Sequence, residues 1–443
     1  YLIKMNGLDH PKILYVSQND PNAKFHSIFQ ATQKASEGDL VVVGPGIYSF
    51  KTTEEYFPIY VPPLCQLVGS GSDTCKIDGG KDCKSYGGTS LRISTRPLDP
   101  YQSLVLLGDK TSLSGFTILN SGGNAVSNEQ GARILITKNV LKDNAQHGLL
   151  IFGTNKAVVQ NNHFQNNGTA GKELGTPRWD GVAKQGHQIF IESKPHARND
   201  VTIIDNLLEK TFADGIDIEV FDQPDGIEMN VHIIGNTISG CGRYGCCMAG
   251  SYGPSNSNVF IEIRNNQILD TGEFAIDAEA AISLIRSTVY NAKLFVSIVD
   301  NKIKTCDCGI NLVGAFSPSK NSYAHYNVIG NEISNTKRFG IRAIGGLGMD
   351  EWPVKDTCCK TIIANNRISD TGKDSIFVQG GFNSGNKEGD NYIINNSVFL
   401  HLVGNILDST GKIIVNDGLP TNSVNVHVDS QSYEKKSGMV PYD

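Results

Sequence analysis

Polar and apolar positions repeat along most of the chain in one short unit. An Asn stands two residues before an apolar residue, and a short strand that begins after a Gly follows soon afterwards. The Asn residues lie 23 to 44 residues apart, at Asn139, Asn162, Asn206, Asn236, Asn266, Asn301, Asn331 and Asn366, with a weaker copy at Asn405. Internal repetition of this kind predicts a solenoid of stacked coils.

Stacking gives each part of the repeat a physical role. A coil with two or three short strands cannot bury its apolar face alone, but coils stacked at about 4.8 Å bury Ile, Leu and Val in columns. An Asn at one turn of each coil adopts a left-handed backbone conformation and forms a ladder of side-chain amides. We therefore predict a structural role for the Asn series, with Gly115 replacing Asn in the first coil.

The two ends of the chain differ from the repeat. Apolar residues at helical spacing predict a helix over about residues 22–37, and Leu40 begins a buried strand that precedes a Pro-Gly turn. We expect one domain over residues 1–443. Its parts are an N-terminal cap (1–50), β-helix coils (51–417) and a C-terminal cap or tail (418–443).

The order of these elements resembles a known superfamily. The helix, Gly38-Asp39, the apolar strand and the Pro-Gly turn resemble the entry of pectin-lyase-like proteins, and the Asn-Xaa-Ile units resemble their repeats. The resemblance covers roughly residues 13–417. It implies an all-β fold, a single-stranded right-handed parallel β-helix solenoid with an N-terminal capping helix. It does not select a function, because the superfamily includes lyases, hydrolases, epimerases, tailspikes and inert surface proteins.

Alignment of the strand that follows each Asn turn identifies a candidate site. Alternation directs the second and fourth residues of each strand outward. These positions collect carboxylates on four consecutive coils, namely Glu192, Asp217, Glu219, Asp277 and Glu279, followed by Asn311 and Arg342. Like charges placed this closely repel, so their clustering favours a functional site over a solvated acidic face without a role.

Long insertions leave the coil beside the same strand and favour a groove there. The first insertion carries Trp179, Lys184 and His187. Aromatic and cationic side chains beside carboxylates suit sugar rings, although packing within the loops is an alternative reading of each aromatic residue.

Paired carboxylates indicate hydrolysis of a glycosidic bond, which needs one protonated and one ionised carboxyl group. Asp217 and Asp277 lie two coils apart, about 9.6 Å, close to the range of inverting enzymes. We predict that they form the acid and base pair, assisted by Glu219 and Glu279. Glu192, Asn311 and Arg342 are expected to bind substrate, together with Trp179, Lys184 and His187.

Asp214 enters the predicted site through a second resemblance. The segment from Ala213 to Ile218 resembles a strand of the polygalacturonase family, which implies that Asp214 matches a catalytic Asp. The family's Asp-Asp pair, Gly-His-Gly and Arg-Ile-Lys motifs are missing, so Asp214 is placed among the binding residues.

Two other functions fit the same residues. The first is a polysaccharide lyase or uronate epimerase that uses calcium at Glu192, Asp217 and Glu219. The second is a non-catalytic surface or carbohydrate-binding β-helix, in which the acids lie apart or form ion pairs. Hydrolysis itself needs no cofactor.

Composition narrows the class of partner. Hydrophobic residues make up 39% and charged residues 19% of the chain, so a long core is possible. The net charge of -6 argues against nucleic acid, and no apolar run reaches the length of a membrane span. We expect a carbohydrate partner, a monomer or trimer, and a secreted or cell-surface location. The Cys pattern does not indicate zinc, and Cys65, Cys75 and Cys83 are either apolar fillers or disulfide partners.

Overall fold

The structure is a computed structural model whose described part consists almost entirely of parallel β-strands. It describes residues 11–80, 102–169, 186–194, 197–219, 226–249, 255–280, 289–315, 319–348, 354–380, 382–383, 393–394, 397–408, 411–416, 423–428 and 434–436. The right-handed parallel β-helix predicted from the repeat is confirmed.

The strands are short and follow one another closely along the chain. The first eighteen are β1 (Ile13–Val16), β2 (Leu40–Val43), β3 (Gly46–Tyr48), β4 (Ile59–Val61), β5 (Gln66–Gly69), β6 (Cys75–Asp78), β7 (Ser103–Leu107), β8 (Thr111–Ser114), β9 (Thr117–Leu119), β10 (Asn124–Asn128), β11 (Arg133–Thr137), β12 (Val140–Lys142), β13 (Leu149–Phe152), β14 (Lys156–Gln160), β15 (His163–Gln165), β16 (Ile189–Glu192), β17 (Asp200–Ile204) and β18 (Leu207–Thr211).

The following strands continue the same pattern. They are β19 (Ile216–Glu219), β20 (Glu228–Ile234), β21 (Thr237–Cys241), β22 (Cys246–Ala249), β23 (Asn258–Arg264), β24 (Gln267–Leu269), β25 (Phe274–Glu279), β26 (Val289–Tyr290), β27 (Lys293–Val299), β28 (Lys302–Cys306), β29 (Cys308–Val313), β30 (Ser319–Lys320), β31 (Tyr323–Ile329), β32 (Glu332–Thr336), β33 (Ile341–Ile344), β34 (Leu347–Gly348), β35 (Val354–Lys355), β36 (Cys358–Ala364), β37 (Arg367–Thr371), β38 (Ile376–Gln379), β39 (Phe382–Asn383), β40 (Ile393–Ile394), β41 (Ser397–Val403), β42 (Ile406–Leu407), β43 (Ile413–Asn416), β44 (Ser423–Val428) and β45 (Glu434–Lys436).

The chain divides into two compact units, and each coil contributes one strand to each of three parallel sheets. The first unit comprises Tyr1–Phe190 and Asp205–Ala213. Its sheet 1 has the order β1-β2-β5-β8-β11-β14, its sheet 2 the order β4-β7-β10-β13, and its sheet 3 the order β3-β6-β9-β12-β15-β18.

The second unit comprises Ile191–Ile204 and Asp214–Asp443. Its sheet 1 has the order β17-β20-β23-β27-β31-β36-β41-β44, its sheet 2 the order β19-β22-β25-β29-β33-β38-β43-β45, and its sheet 3 the order β21-β24-β28-β32-β37-β42. Two small sheets, β26-β30-β35-β40 and β34-β39, accompany them. That the chain folds as one domain stays a prediction.

Inward residues of successive strands form apolar columns. On sheet 2 of the second unit, Ile276, Ile310, Ile341 and Ile376 occupy paired positions, and each is fully buried. Burial of each Ile side chain contributes about 1.5–3 kcal/mol, so the columns supply the main stabilising term of the coils.

The predicted ladder of Asn side chains is present in both units. Within each unit, the Nδ2 group of a ladder Asn donates to Oδ1 of the Asn one coil further on, for example at 3.2 Å for Asn139 to Asn162 and 3.0 Å for Asn266 to Asn301. The backbone N–H of Asn266 donates to the same Oδ1 atom of Asn301, at 2.9 Å. These amides are buried and hydrogen-bonded, as the cost of burying a polar group requires.

The left-handed backbone conformation lies one residue earlier than predicted. The residue before each ladder Asn has a positive φ, for example 57° at Lys138, 55° at Asn161 and 67° at Gly235, whereas no ladder Asn does. The reason is geometric, since the ladder Asn must point inward to reach the next coil while its predecessor makes the turn. Gly115, with φ 80°, occupies the turn position of its coil, and Phe116 occupies the ladder position.

The N-terminal helix is shorter than predicted. Helix α1 spans Ile28–Thr32 rather than about residues 22–37, because Phe25 still forms a parallel bridge with Val16. The buried carboxyl group of Glu55 accepts hydrogen bonds from the backbone N–H groups of Ile28 and Phe29, at 2.7 and 2.8 Å, and so caps the helix. A second short helix, α2, spans Phe50–Thr53.

Both expected caps contribute strands. β1, β2 and β3 lie within residues 1–50 and pair with each other or with the strands that follow. Beyond residue 417, β44 pairs with β41 and β45 pairs with β43. None of the helices in the described residues has the length and apolarity to cross a membrane. The nine cysteines of the described part, including Cys65 and Cys75, are free thiols, and Cys83 lies outside it.

Candidate active site

Five polar or ionisable side chains form one row across sheet 2 of the second unit. Asp217 on β19 pairs with Cys247 on β22, which pairs with Asp277 on β25, and the row continues with Asn311 on β29 and Arg342 on β33. The order matches the column predicted from strand alternation. The neighbours of Asp217 along the strand, Ile216 and Ile218, are core residues. We call this row the acid row.

A second row lies two residues further along the same strands. Glu279 on β25 pairs with Ala249 on β22 and with Val313 on β29. Glu219 is likewise two residues beyond Asp217 on β19. Alternation therefore places all four predicted catalytic carboxylates on one side of sheet 2.

The acid row is buried except for Cys247, and Glu279 of the second row is buried as well. The exposed fractions are 1% for Asp217, 4% for Asp277 and 8% for Glu279, and Asn311 and Arg342 are also buried, whereas Glu219 is partly exposed. A solvated acidic face would leave these side chains in water. The alternative of a merely solvated face therefore does not fit, because buried carboxylates are destabilising unless they are protonated or paired.

Asp277 has the most informative electrostatic environment. Burial raises the pKa of Asp277 to about 7, against a hydrogen bond from Asn311 and the charges of Arg243 and Arg342, which lower it. Nδ2 of Asn311 donates to Oδ1 of Asp277 at 2.7 Å. Nη1 of Arg342 in turn donates to Oδ1 of Asn311 at 3.4 Å. The carboxyl group of Asp277 is thus oriented and exchanges its proton near neutral pH.

Two other acids are shifted in the same direction. Burial raises the pKa of Glu279 well above its usual range, and the charge of Asp277 raises it further. Burial also raises the pKa of Glu219, with Asp217 as the next cause. Both shifts favour the neutral carboxyl group over the carboxylate, which reduces the repulsion expected from five clustered acids.

Asp214 is held by residues that sequence reasoning missed. Its buried carboxylate accepts hydrogen bonds from Nε of Arg243 at 3.0 Å and from the backbone N–H of Tyr244 at 3.0 Å, and it forms an ion pair with Nη2 of Arg243. The guanidinium group lies 4.7 Å from the Tyr244 ring centre, and that ring stacks on Phe274 at 5.4 Å. This fork argues for a positioning role for Asp214. The only sequence signal was an Arg one coil after the Asp.

Two of the remaining predicted binding residues, Glu192 and His187, contact partners of their own. Glu192, on β16, forms an ion pair with Lys194. His187 belongs to the first unit, where its ring stacks on His147 at 5.2 Å and lies 5.4 Å from Phe190. Trp179 and Lys184 lie outside the described residues.

The fold and the acid row define the class of protein as a right-handed parallel β-helix with a buried row of ionisable residues on one sheet. The chain belongs to the family described as protein of unknown function (DUF1565), whose model matches residues 17–244. None of the curated proteins matches the sequence.

Solved structures share the fold at low identity. One is the catalytic unit of a thermostable GH87 α-1,3-glucanase from Streptomyces thermodiastaticus, with a TM-score of 0.50, 17% identity and coverage of 88% of this chain and 68% of that one. Another is PfbA, a surface adhesin of Streptococcus pneumoniae, with a TM-score of 0.50, 14% identity and coverage of 90% and 93%. An enzyme and an adhesin resemble the chain equally well, so these likenesses show the fold alone.

Proposed function

We propose that this protein is a carbohydrate-active enzyme that hydrolyses glycosidic bonds of a poly- or oligosaccharide, with Asp277 as general acid and Asp217 as general base. The observation that carries the proposal is the buried Asp277 carboxyl group with a pKa of about 7, in the same row as Asp217. A carboxylic acid kept protonated near neutral pH beside a second carboxylate is the pairing that glycoside hydrolysis requires.

The division of roles follows from the neighbours of each group. Asn311 donates to Oδ1 of Asp277, which leaves Oδ2 to carry the proton. Asp277 gives this proton to the glycosidic oxygen as the bond to the anomeric carbon breaks. Asp217 takes a proton from the water that attacks that carbon from the opposite face. The proton balance of the two carboxyl groups is restored through solvent.

We propose inversion of configuration, because the backbone spacing of the two acids is close to the carboxyl separation of inverting enzymes. One strand, β22, separates Asp217 from Asp277, so their backbones lie about two strand spacings, or about 9.6 Å, apart. Carboxyl groups about 6.5–9.5 Å apart leave room for a water molecule between the sugar and the base. Glu219 and Glu279 lie on the same side of sheet 2 and are proposed to bind sugar hydroxyl groups.

Calcium-dependent elimination or epimerisation would require the predicted calcium ligands to give up their present contacts, which hydrolysis does not. Its predicted ligands are Glu192, Asp217 and Glu219. The ion pair between Lys194 and Glu192 would have to open, and burial disfavours the ionised form of Glu219 that calcium would bind. This route is therefore an outcome of the test rather than the proposal.

The test is a screen of purified protein on a panel of neutral and acidic polysaccharides, with new reducing ends and ultraviolet absorbance of unsaturated products as separate readouts. We expect reducing ends without absorbance and no loss of activity in EDTA. Asp217→Asn and Asp277→Asn should each lower the rate by about 10²–10⁴-fold. Asp270→Asn, at an exposed carboxylate in the same unit, is the matched control.

The opposite results would reject hydrolysis. Unsaturated products that disappear with EDTA would identify the calcium-dependent lyase, and equal activity in Asp277→Asn and Asp270→Asn would remove Asp277 from the mechanism. A secreted or cell-surface location belongs to the same proposal, since polysaccharides are met there.

A non-catalytic glycan-binding β-helix is the second candidate. The two ion pairs, Glu192 with Lys194 and Asp214 with Arg243, favour it, because acids without a chemical role are expected to be neutralised in this way. It predicts that the protein binds a glycan without forming any product, and that Asp277→Asn leaves the binding affinity unchanged.

A further inference from the structure

The outward face of sheet 1 in the second unit carries a groove that the acid row does not use. The groove has a volume of about 200 Å³ and is lined by side chains from β20, β23, β27 and β31. Parallel register places Asn230, Phe260, Phe295 and His325 in one row across these strands. A second row, two residues further along, contains His232, Glu262, Ser297 and Asn327.

The first row presents a flat apolar wall. The rings of Phe260 and Phe295 are nearly parallel, with centres 4.8 Å apart and planes inclined by 7°. Phe295 covers one face of Phe260, while the next position in the row is the small side chain of Asn230. Phe260 is 47% exposed, which is unusual for a Phe and leaves ring surface in contact with water.

The second row supplies a polar edge beside that wall. Nδ1 of His232 and Oε2 of Glu262 are 2.9 Å apart, and Nε of Arg264 lies 3.2 Å from Oε1 of the same carboxylate. The hydrogen bond from His232 lowers the pKa of Glu262, so the carboxylate is ionised and fixed in place. Ser297 and Asn327 add neutral hydrogen-bonding groups.

His325 connects the two rows. Its ring centre lies 6.3 Å from that of Phe295, and burial together with Lys360 lowers its pKa, which favours the neutral imidazole. Its Nε2 atom is buried without a hydrogen-bond partner in the described structure. Its side chain lines the groove together with that of Asn327.

We propose that this groove is a glycan-binding site, in which a pyranose ring of a polysaccharide stacks on Phe260 and its hydroxyl groups bond to the His232–Glu262 pair and to Asn327. A sugar ring has one apolar C–H face and a polar rim, and the groove has one apolar wall and one polar edge. A lining of aromatic groups with a few fixed polar groups is the usual composition of a small-molecule site.

The size and length of the surface agree with an extended sugar chain. The groove is smaller than the roughly 300–1,000 Å³ of sites for drug-sized ligands, which suits one ring of a longer chain. The same row continues through Lys360 to Phe399, which is 46% exposed. Four strand spacings separate Phe260 from Phe399, about 19 Å, so further rings can follow the first along the row.

Charged groups at the edge distinguish a glycan from a second copy of this chain. A homodimer interface is expected to be large and depleted of charge at its centre. Here the apolar wall consists of a few rings and the ion pair adjoins it directly. The proposal does not depend on hydrolysis, because the groove lies on sheet 1 and the acid row on sheet 2.

The test measures binding of cellohexaose, xylohexaose and laminarihexaose to the full chain carrying Asp277→Asn, by calorimetry and by hydrogen exchange. We expect at least one hexasaccharide to slow exchange in β23 and β27. Phe260→Ala should weaken its affinity roughly two- to tenfold, while Phe260→Trp should retain it. Tyr290→Ala, at an aromatic residue of similar exposure on β26, should change nothing.

Three results would overturn the proposal. They are the absence of protection in β23 and β27 with all three sugars, equal affinity in Phe260→Ala and Tyr290→Ala, and concentration-dependent dimers that Phe260→Ala abolishes. The last result would assign the face to a second copy of the chain. Binding that depends on Phe260 without hydrolysis of any sugar would sustain this site while rejecting the proposed function.

Discussion

Asn311 donates a hydrogen bond of 2.7 Å to Asp277 from the paired position on the neighbouring strand. The bond favours the ionised carboxylate, yet burial outweighs it and holds the pKa of Asp277 at about 7. The amide of Asn311 therefore opposes the effect of burial on the pKa of Asp277. It also determines which carboxyl oxygen is free to carry a proton.

Replacement of that amide is expected to raise the pKa of Asp277 further. Asn311→Leu removes the donor at similar volume, so the neutral carboxyl group gains relative to the carboxylate. Carboxyl carbon NMR across a pH titration measures the shift directly and needs no substrate. Asn258→Leu, on β23, is the control. A lower or unchanged pKa of Asp277 would contradict the role given to Asn311.

Asp277 also makes the stability of the protein depend on pH. Its pKa is about 7 in the folded state, against an ordinary value of 3.8 for Asp, so the folded state binds more protons between these limits. Its contribution to stability is therefore fully present below about pH 4 and is lost as pH rises through 7.

Asp277→Asn removes this loss. Relative to the unsubstituted chain, we expect the variant to gain a few kcal/mol in free energy of unfolding at pH 8 and little at pH 4. Urea denaturation at the two pH values measures the difference. If the variant instead gains less free energy of unfolding over the parent at pH 8 than at pH 4, the buried carboxylate is stabilised by its neighbours and the prediction is wrong.

Glu55 is expected to be more important for stability than its position between two short helices suggests. Its carboxyl oxygens accept from two backbone N–H groups of α1 and from the Ser27 hydroxyl. An amide has only one accepting oxygen, so Glu55→Gln should lower the free energy of unfolding by about 1–3 kcal/mol. Glu54→Gln, at the adjacent exposed carboxylate, should have no effect in the same denaturation experiment.

Substitution of a single Asn in the ladder is expected to lower the free energy of unfolding. Asn301 donates to Asn331 and to the carbonyl oxygen of Ile263, and it accepts from Asn266. Asn301→Ala leaves buried groups on both neighbouring coils without partners, which should cost about 2–5 kcal/mol. Thermal unfolding compares it with Asn230→Ala, which breaks an exposed side-chain bond to Asp200. Equal losses in both variants would refute a special role for the ladder.

The sequence was sufficient for the fold and for the order of residues in the acid row. The spacing of the Asn residues reflects one hydrogen-bonded position per coil, and strand alternation fixed Asp217, Asp277, Asn311 and Arg342 in one row. Both follow from local periodicity, which a single sequence displays directly.

The environment of the acids could not be predicted from the sequence in the same way. Burial of Asp217 and the fork between Asp214 and Arg243 depend on contacts between coils. The left-handed position was displaced by one residue because Asn suits both the turn and the ladder, so its identity alone does not separate the two. Helix α1 is shorter than the predicted helix because Phe25 pairs with Val16, a contact that helical spacing does not reveal.

The ladder has a direction, because Asn301 and Asn331 each donate to the C-terminal neighbour and accept from the N-terminal one. A coil inserted or removed as a whole between two ladder residues leaves every donor facing an acceptor. A partial coil would misalign the row and all three sheets together. The length of such a chain is therefore expected to change by complete coils. Duplication of one coil requires no new kind of contact between neighbouring coils.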